Sequence, residues 1–443
     1  MELTTREQRV CEEIEARREE LVALASVLIA FDTTARSPGD PARDEAKLQE
    51  YLATRLREAG AELDLFEPDA KALQGKPLVP PGLDFAGRPQ LIARQRGGRS
   101  GPSLLLNGHI DVVSTEPRAA WTSPPFAPEV RGGRLYGRGA CDMKGGIAAM
   151  VLAVETLASL GLGLGGDLIV ATNTDEESSG AGGTALVEHG LHADAGIVTE
   201  PTGFDTWIAC RGSEYGVVHV PGRAGHAEVS QPSWRDGGAV NAIEKAVVVL
   251  EAIASLRRDW STRAGLEHPL LARPSLLATM ARSGDWAVTY PASAELTIAV
   301  MYLPAQADTR GWGAEVRAEV EHWIARETAR ADDWLSAHPP QIDWWPNAVM
   351  PFEILRSEPI VSTMLDATRD VGRPGRVGGL DSWYDGATLT KLAGIPSIAF
   401  GPPGFATHGV SVAHTVDEYV PIDGLIVCAQ AIAVAAMRYC GLA

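Results

Sequence analysis

Apolar and polar positions along the chain follow two alternating periods. Leu3 to Phe31 carries apolar residues at helical spacing, and Asp44 to Ala59 repeats the pattern until Gly60 stops it. Gly75 to Pro89, with Pro77, Pro80, Pro81, Gly82 and Gly87, reads as a loop. Ser103 to Leu106 predicts a short buried strand that ends in a turn at Asn107-Gly108. Gly145 to Leu160 predicts a helix rich in glycine and alanine. Asp167 to Ala171 and Asp194 to Val198 read as two more buried strands, each followed by polar residues. Short apolar strands separated by helices predict a parallel or mixed sheet covered by helices.

The pattern changes after Arg211. Gly216 to Val220 alternates as a strand, and Val240 to Leu256 reads as a long helix. Two strands follow, Ser275 to Arg282 and Ala294 to Leu303, then an amphipathic helix, Ala314 to Ala329, and a last strand, Gln341 to Trp345. That β-α-β-β-α-β order is the ferredoxin-like unit. Eight of the 11 tryptophans fall between Trp234 and Trp345, so this segment has its own composition. From Pro351 the helix–strand alternation returns, through Ile360 to Thr368, Tyr384 to Ala393, Ile395 to Phe400 and Leu425 to Tyr439. The predicted fold class is α/β. One mixed-sheet domain is made of residues 1–212 and 349–443, and an inserted ferredoxin-like α/β domain spans 213–348.

Composition narrows the function. A length of 443 residues allows two or three domains, and 45% hydrophobic with 22% charged residues excludes a disordered chain. Thirty-nine basic against 57 acidic residues leave a formal charge of -18 with no Lys/Arg block, which argues against nucleic acid as a partner. No membrane partner is expected either. The early apolar stretch Leu21 to Phe31 is too short to span and follows a mixed-charge run, unlike a signal peptide. Cys11, Cys141, Cys210, Cys428 and Cys440 are odd in number and scattered, with no CxxC, as reduced thiols in a cytoplasmic protein would be.

Five short segments carry metal-type ligands, mostly just beyond predicted strand ends. In Asn107-Gly108-His109-Ile110-Asp111, the histidine and aspartate share a face of extended backbone, so the carboxylate can hold the imidazole tautomer. In Gly137-Arg138-Gly139-Ala140-Cys141-Asp142-Met143-Lys144-Gly145-Gly146, Asp142 stands just before a helix, where a plain N-cap is the structural alternative. Asp175-Glu176-Glu177 follows one strand and Glu200-Pro201 another; a solvated acidic loop is the plain reading of the triplet, but α/β sheets place ligands at such ends. The fifth segment is Val412-Ala413-His414-Thr415, followed by Asp417-Glu418-Tyr419. Together these donors suit two hard-to-borderline divalent ions bound through nitrogen and oxygen, without thiolate. Two such ions bring about +4, which three carboxylates and one hydroxide bring close to neutral.

At this point the sequence resembles the zinc-dependent deacylase and exopeptidase family of acetylornithine deacetylase, succinyl-diaminopimelate desuccinylase, aminoacylase and carboxypeptidase G. The resemblance covers nearly the whole chain and rests on GHIDVV, GRGACDMKGG, the DEE triplet, TEPT and AHTVDEYVPI. It implies a zinc-exopeptidase catalytic domain interrupted by a lid that dimerises. It implies two divalent ions, zinc or in its place cobalt, with Asp142 bridging them, His109 and Glu200 on one, and Glu177 and His414 on the other. Glu176 would be the general base, Asp111 would orient His109, and the Asp142-Met143 bond would be cis. His226, in Gly222-Arg223-Ala224-Gly225-His226, matches a lid histidine that reaches the other subunit's active site in a homodimer. The remaining histidines, His408 among them, read as structural.

The expected activity is hydrolysis of a linear amide in a small-molecule N-acyl or peptide substrate, most simply N-deacylation of an amino acid or amine. A carboxypeptidase or dipeptidase on the same scaffold is the enzymatic alternative. A metal-free binding or scaffold protein is the third reading; it predicts an eroded ligand set, and all five ligands and the base are present. One departure stands out. Family members specific for amino acids carry an asparagine before a lid proline and an arginine after it, which clamp the substrate carboxylate. Here Pro291 marks the place, and Ala287 and Met301 occupy those positions. Arg211, Arg223 and Arg282 are the cationic candidates to replace the clamp, and Trp234 and Trp286 leave room for an apolar or aromatic substrate portion.

Overall fold

The apolar runs bounded by polar residues form the inside of a mixed sheet. In the computed structural model, which describes residues 2–98, 100–346, 348–405 and 411–443, the strands run in the order Glu62–Phe66, Gln90–Gln95, Leu168–Asn173, Leu104–His109, Ala195–Val198, Ser397–Ala399 and Thr206–Cys210. His408 lies outside the described residues. The four middle strands are parallel, and their neighbours on either side are antiparallel. Every residue of Leu104–His109 and Leu168–Asn173 is buried, as expected of strands covered on both faces.

The turn expected at Asn107-Gly108 is absent, and the strand continues to His109. Parallel neighbours on both sides hold it extended: Thr199 N–H donates to the Asn107 carbonyl at 3.0 Å, and Ile110 N–H to that of Asn173 at 2.8 Å. Of the seven strands, Glu62–Phe66, Gln90–Gln95 and Thr206–Cys210 escape the sequence pattern. The first helical segment divides at Arg17 into Thr5–Ala16 and Arg18–Ala30, the former opened by a capping box of Thr4 and Glu7.

Helix Ile422–Cys440 is long and apolar enough to cross a membrane by length and composition. Here its Leu425, Cys428, Ala429, Ile432 and Ala436 are buried, and it packs against Lys144–Ser159. It is a core helix, with each fully buried leucine or isoleucine stabilising the fold by about 1.5–3 kcal/mol.

The chain divides into two compact units: Met1–Ala209 with Glu353–Gly379 and Tyr384–Ala443, and Cys210–Phe352 with Leu380–Trp383. The smaller unit has an antiparallel sheet in the order Ser275–Ser283, Ser293–Tyr302, Gly212–Pro221, Gln341–Trp344. With helices Ala242–Thr262 and Ala314–Ala331 this is the ferredoxin-like arrangement. Ala242–Thr262 buries Ala242, Ala246, Val249, Ile253, Leu256 and Trp260, one face at helical spacing. Asn241 caps it, its Oδ1 accepting from Ile243 N–H at 3.0 Å.

Candidate metal centre

Strand register decides which side chains meet. In the parallel sheet His109 stands level with Asn173, and Asn107 with Val198. The residues just past those ends, Asp175 to Glu177 and Glu200, therefore gather around His109 at the carboxyl edge of the strands, where open α/β sheets place their ligands. Asp142 arrives from the start of helix Lys144–Ser159, which packs tightly onto this edge. A Cβ at Gly146 would lie 2.2 Å from the Thr199 carbonyl oxygen. Only glycine lets the helix approach the segment that carries Glu200.

The N-cap alternative for Asp142 does not hold. The helix begins at Met143 without a side-chain cap, and the Asp142 carboxylate turns to the two histidines. Its Oδ1 is 3.3 Å from His109 Nε2, and its Oδ2 is 3.2 Å from His414 Nε2. His414 Nε2 is also 3.2 Å from Glu177 Oε1. His109 Nε2 lies 3.8 Å from Glu176 Oε2 and 3.9 Å from Glu200 Oε1. Two donor groups result, His109 with Asp142 and Glu177, and His109 with Glu176 and Glu200, the ligand atoms of each within 4.8 Å of one another. The Asp142-Met143 peptide bond is cis.

The orienting of His109 differs from the expectation. Its Nδ1 lies 2.9 Å from the Asp111 carbonyl oxygen, whereas the Asp111 carboxylate is 3.7 Å away. A carbonyl only accepts, so Nδ1 carries a proton and Nε2 is the ring atom turned to the carboxylates. The Asp111 carboxylate instead accepts the backbone N–H groups of Glu176 and Glu177, at 3.2 and 3.0 Å. It shapes the acidic loop and reaches the imidazole only by charge, from 3.7 Å.

Electrostatics show a site short of positive charge. Burial opposes protonation of His109, but Glu176, Asp142, Glu200 and Asp111 outweigh it and hold its pKa well above the ordinary value. Hydrogen bonds to Asp142 and Glu177 push His414 up to about 10. Burial raises Asp142, yet the two imidazoles bring it below the usual carboxylate range. Burial and neighbouring carboxylates push Glu176 and Glu200 well up, and burial takes Asp111 to about 7. Asp142 Oδ1 and Glu200 Oε1 are buried without a hydrogen-bond partner. Buried acids with unsatisfied oxygens, gathered around two imidazole Nε2 atoms, fit divalent cations, which would take the place of the imidazole protons.

Behind the donors lie residues that sequence reasoning did not single out. Glu418 is fully buried; its Oε1 accepts from Cys141 N–H at 2.9 Å and Asp142 N–H at 3.2 Å, and its Oε2 pairs with Arg138 at 2.5 Å. Asp385 accepts from Asn173 Nδ2 at 2.6 Å. Asp385 is a single acid outside any spacing pattern, and Glu418 stands in the AHTVDEYVPI motif without a role that the motif assigns. Only contacts from distant strands give them meaning.

His226 belongs to the smaller unit, where it is exposed on a two-residue strand paired with Thr289–Tyr290. Its Nδ1 accepts from Glu228 N–H at 3.3 Å, so in the neutral ring Nε2 carries the proton. Ala287 is exposed and Met301 half-buried. Arg211 is spent on the carbonyls of Asp381 and Arg273, and Arg223 on those of Trp234 and Gly238.

A mixed sheet with clustered nitrogen and oxygen donors at its carboxyl edge is the architecture of a metallopeptidase. The model of peptidase family M20/M25/M40 matches residues 105–438, and the chain belongs to that family. It is 30% identical, over 56% of its length and 55% of the relative's, to the N-formyl-4-amino-5-aminomethyl-2-methylpyrimidine deformylase of Halalkalibacterium halodurans. It is 36% identical, over 44% of its length and 55% of the relative's, to the succinyl-diaminopimelate desuccinylase of Leptothrix cholodnii. The chain thus spans about half the length of the curated relatives it matches. Among solved structures, human carnosine dipeptidase 1 superposes with a TM-score of 0.72 at 14% identity, over 99% of both chains. That likeness is one of fold.

Proposed function

We propose that the protein is a dizinc amidohydrolase that removes an acyl group from an amine or amino acid. The observation that carries the reading is the pair of contacts made by one carboxylate, Asp142 Oδ1 toward His109 and Oδ2 toward His414. A carboxylate so placed would be shared by two ions, with Glu200 and His109 on one and Glu177 and His414 on the other. When bound, such ions polarise a carbonyl and lower the pKa of water toward neutrality. Glu176, beside Glu177 and within 3.8 Å of His109, would take the water's proton on its carboxylate and pass it to the nitrogen of the leaving amine. Asp111 holds the Glu176 and Glu177 backbone in place for that transfer.

His226 would supply Nε2–H to the oxyanion in a second subunit's site. The lid supports dimerisation by its surface. Among the described residues Ser275–Ser283 pairs on one side only, and Leu277 and Met280 on it are exposed. The helix packed against it also exposes Ile243, Val247 and Leu250, at 49%, 61% and 38%. An unpaired strand edge beside an apolar stripe invites a second copy. Cys11, Cys141, Cys428 and Cys440 are thiols outside any disulfide, in keeping with a cytoplasmic enzyme.

Ala287 and Met301 offer a substrate no ionic partner, so a free α-carboxylate would not be required. The name of the deformylase relative points the same way, toward an N-acylated amine. The test is elemental analysis of the purified chain, then hydrolysis of N-formyl, N-acetyl and N-succinyl compounds and dipeptides, each with and without the carboxylate. About two metal ions per chain and turnover of an uncharged N-acyl amine are expected. A metal-free chain would sink the reading, and activity confined to free carboxylates would move it to the carboxypeptidase alternative.

A further inference from the structure

Asp385 is only 1% exposed, yet its side chain does not cap the helix it precedes, Gly386–Ala393. A charge taken out of water costs several kcal/mol unless its surroundings compensate it. One oxygen, Oδ2, accepts from Asn173 Nδ2 at 2.6 Å. The other, Oδ1, makes no hydrogen bond and faces the first turn of helix Ala181–Glu188, where a Cβ on Gly183 would stand 2.6 Å from it. That turn is the positive end of the helix dipole, a favourable neighbour for a carboxylate.

The two contacts lie on either side of one segment. Asn173 closes the strand before it and Gly183 lies in the helix after it, with Glu176 and Glu177 between them. We propose that Asp385 is a positioning residue that fastens both ends of this acidic segment and so sets where the Glu176 and Glu177 carboxylates stand. The proposal rests on the reading of those two residues as base and metal ligand. Within the segment other groups hold the chain: Gln90 bonds Thr174 through both its amide atoms, at 3.0 Å each, and Arg88 pairs with Asp175. Asp385 acts one layer further out. Through Asn173 it connects to Asn107 Nδ2, 2.9 Å from Asn173 Oδ1, and thus to the strand that ends in His109.

The experiment uses the full chain loaded with zinc. Asp385→Asn keeps the volume and an acceptor for Asn173 but loses the charge against the helix turn. Asp385→Ala loses both, and Asn173→Ala cuts the strand side alone. Zinc affinity is read by competition with a chromogenic chelator, and kcat, KM and the unfolding midpoint are measured on the same samples. Asp385→Ala should weaken one zinc site by about 10–100-fold, as expected when a group orienting metal ligands is removed. The other site should be unchanged, and kcat should fall with KM preserved. Asn173→Ala should move in the same direction, and Asp385→Asn should fall between it and the parent. Parent-like zinc affinity and kcat in Asp385→Ala, with only a lower unfolding midpoint, would overturn the proposal. If that variant does not fold, the same readouts on Asp385→Asn and Asn173→Ala decide it. A parent chain that held no zinc would overturn the metal reading instead, so the two failures are distinct.

Discussion

His414 Nε2 stands 3.2 Å from Asp142 Oδ2, although the two residues come from opposite sides of the inserted unit in sequence. His414 makes the contact from left-handed backbone, φ +63, which costs a non-glycine residue on the order of 1–2 kcal/mol. Asp175, next to the expected base, sits at the same φ. Strain of this kind persists where the surroundings over-determine it, and it gathers at functional sites.

Replacing Glu176 by glutamine should leave about two metal ions per chain and lower kcat by roughly 10²–10⁴-fold, the usual contribution of a positioned base. Because the geometry groups Glu176 with His109 and Glu200, metal content is the deciding measurement. Loss of an ion from this variant would make Glu176 a ligand and reverse the roles of the acidic pair.

Gly146→Ala tests the approach of the helix to the Glu200 segment. The added methyl would meet the Thr199 carbonyl oxygen at 2.2 Å, so backbone must move apart. A stability loss of about 1–3 kcal/mol is expected from overpacking, together with weaker metal binding read by chelator competition. An unchanged unfolding midpoint would show that the helix can slide without cost.

His226→Ala should lower kcat strongly while metal content and folding stay intact, since loss of an oxyanion donor raises the barrier by about 3–4 kcal/mol. Mixing His226→Ala chains with Glu176→Gln chains should recover part of the activity, because one site of the mixed dimer would combine an intact base with an intact donor. Mixed dimers that form and stay inactive would rule out action in trans.

At the surface, Glu20 bonds Arg17 and Arg55 at 2.8 Å each, and chiefly the Arg17 hydrogen bond holds its pKa down at about 2. A folded-state pKa below the ordinary 4.5 means that the stabilisation is full above pH 4.5 and disappears as pH falls toward 2. With 41% of the side chain exposed, it stays under about 1 kcal/mol. The unfolding midpoint of Glu20→Gln should therefore lie on the order of 2 °C below that of the parent at pH 6, and the gap should narrow below pH 4.5. A gap independent of pH would assign the loss to packing.

What could be read from sequence were the places where hydrophobic runs end. His109 ends one apolar strand, Glu176, Glu177 and Glu200 follow two others, and register brings them together. Asn107-Gly108 misled because its turn chemistry is local, whereas pairing with strands on both sides is not. Glu62–Phe66 went unseen because its exposure pattern belongs to a sheet edge, and Gln90–Gln95 because it follows a loop rich in proline. Asp385 carries no local signal at all, and Glu418, though it stands in the AHTVDEYVPI motif, carries none for its role. Their importance lies in the backbone and side-chain groups they meet from remote parts of the chain.

The position of Ser397–Ala399 bears on synthesis. It slots between Ala195–Val198 and Thr206–Cys210, yet it leaves the ribosome almost two hundred residues after them. Until then Ala195–Val198 has an unpaired side, a sticky edge of the sort that aggregates during folding. The four-stranded sheet between Gly212 and Trp344 can close meanwhile. Newly made chains thus pass through a long interval with that sheet closed and the larger one still open, and in that interval demand for chaperones should be greatest.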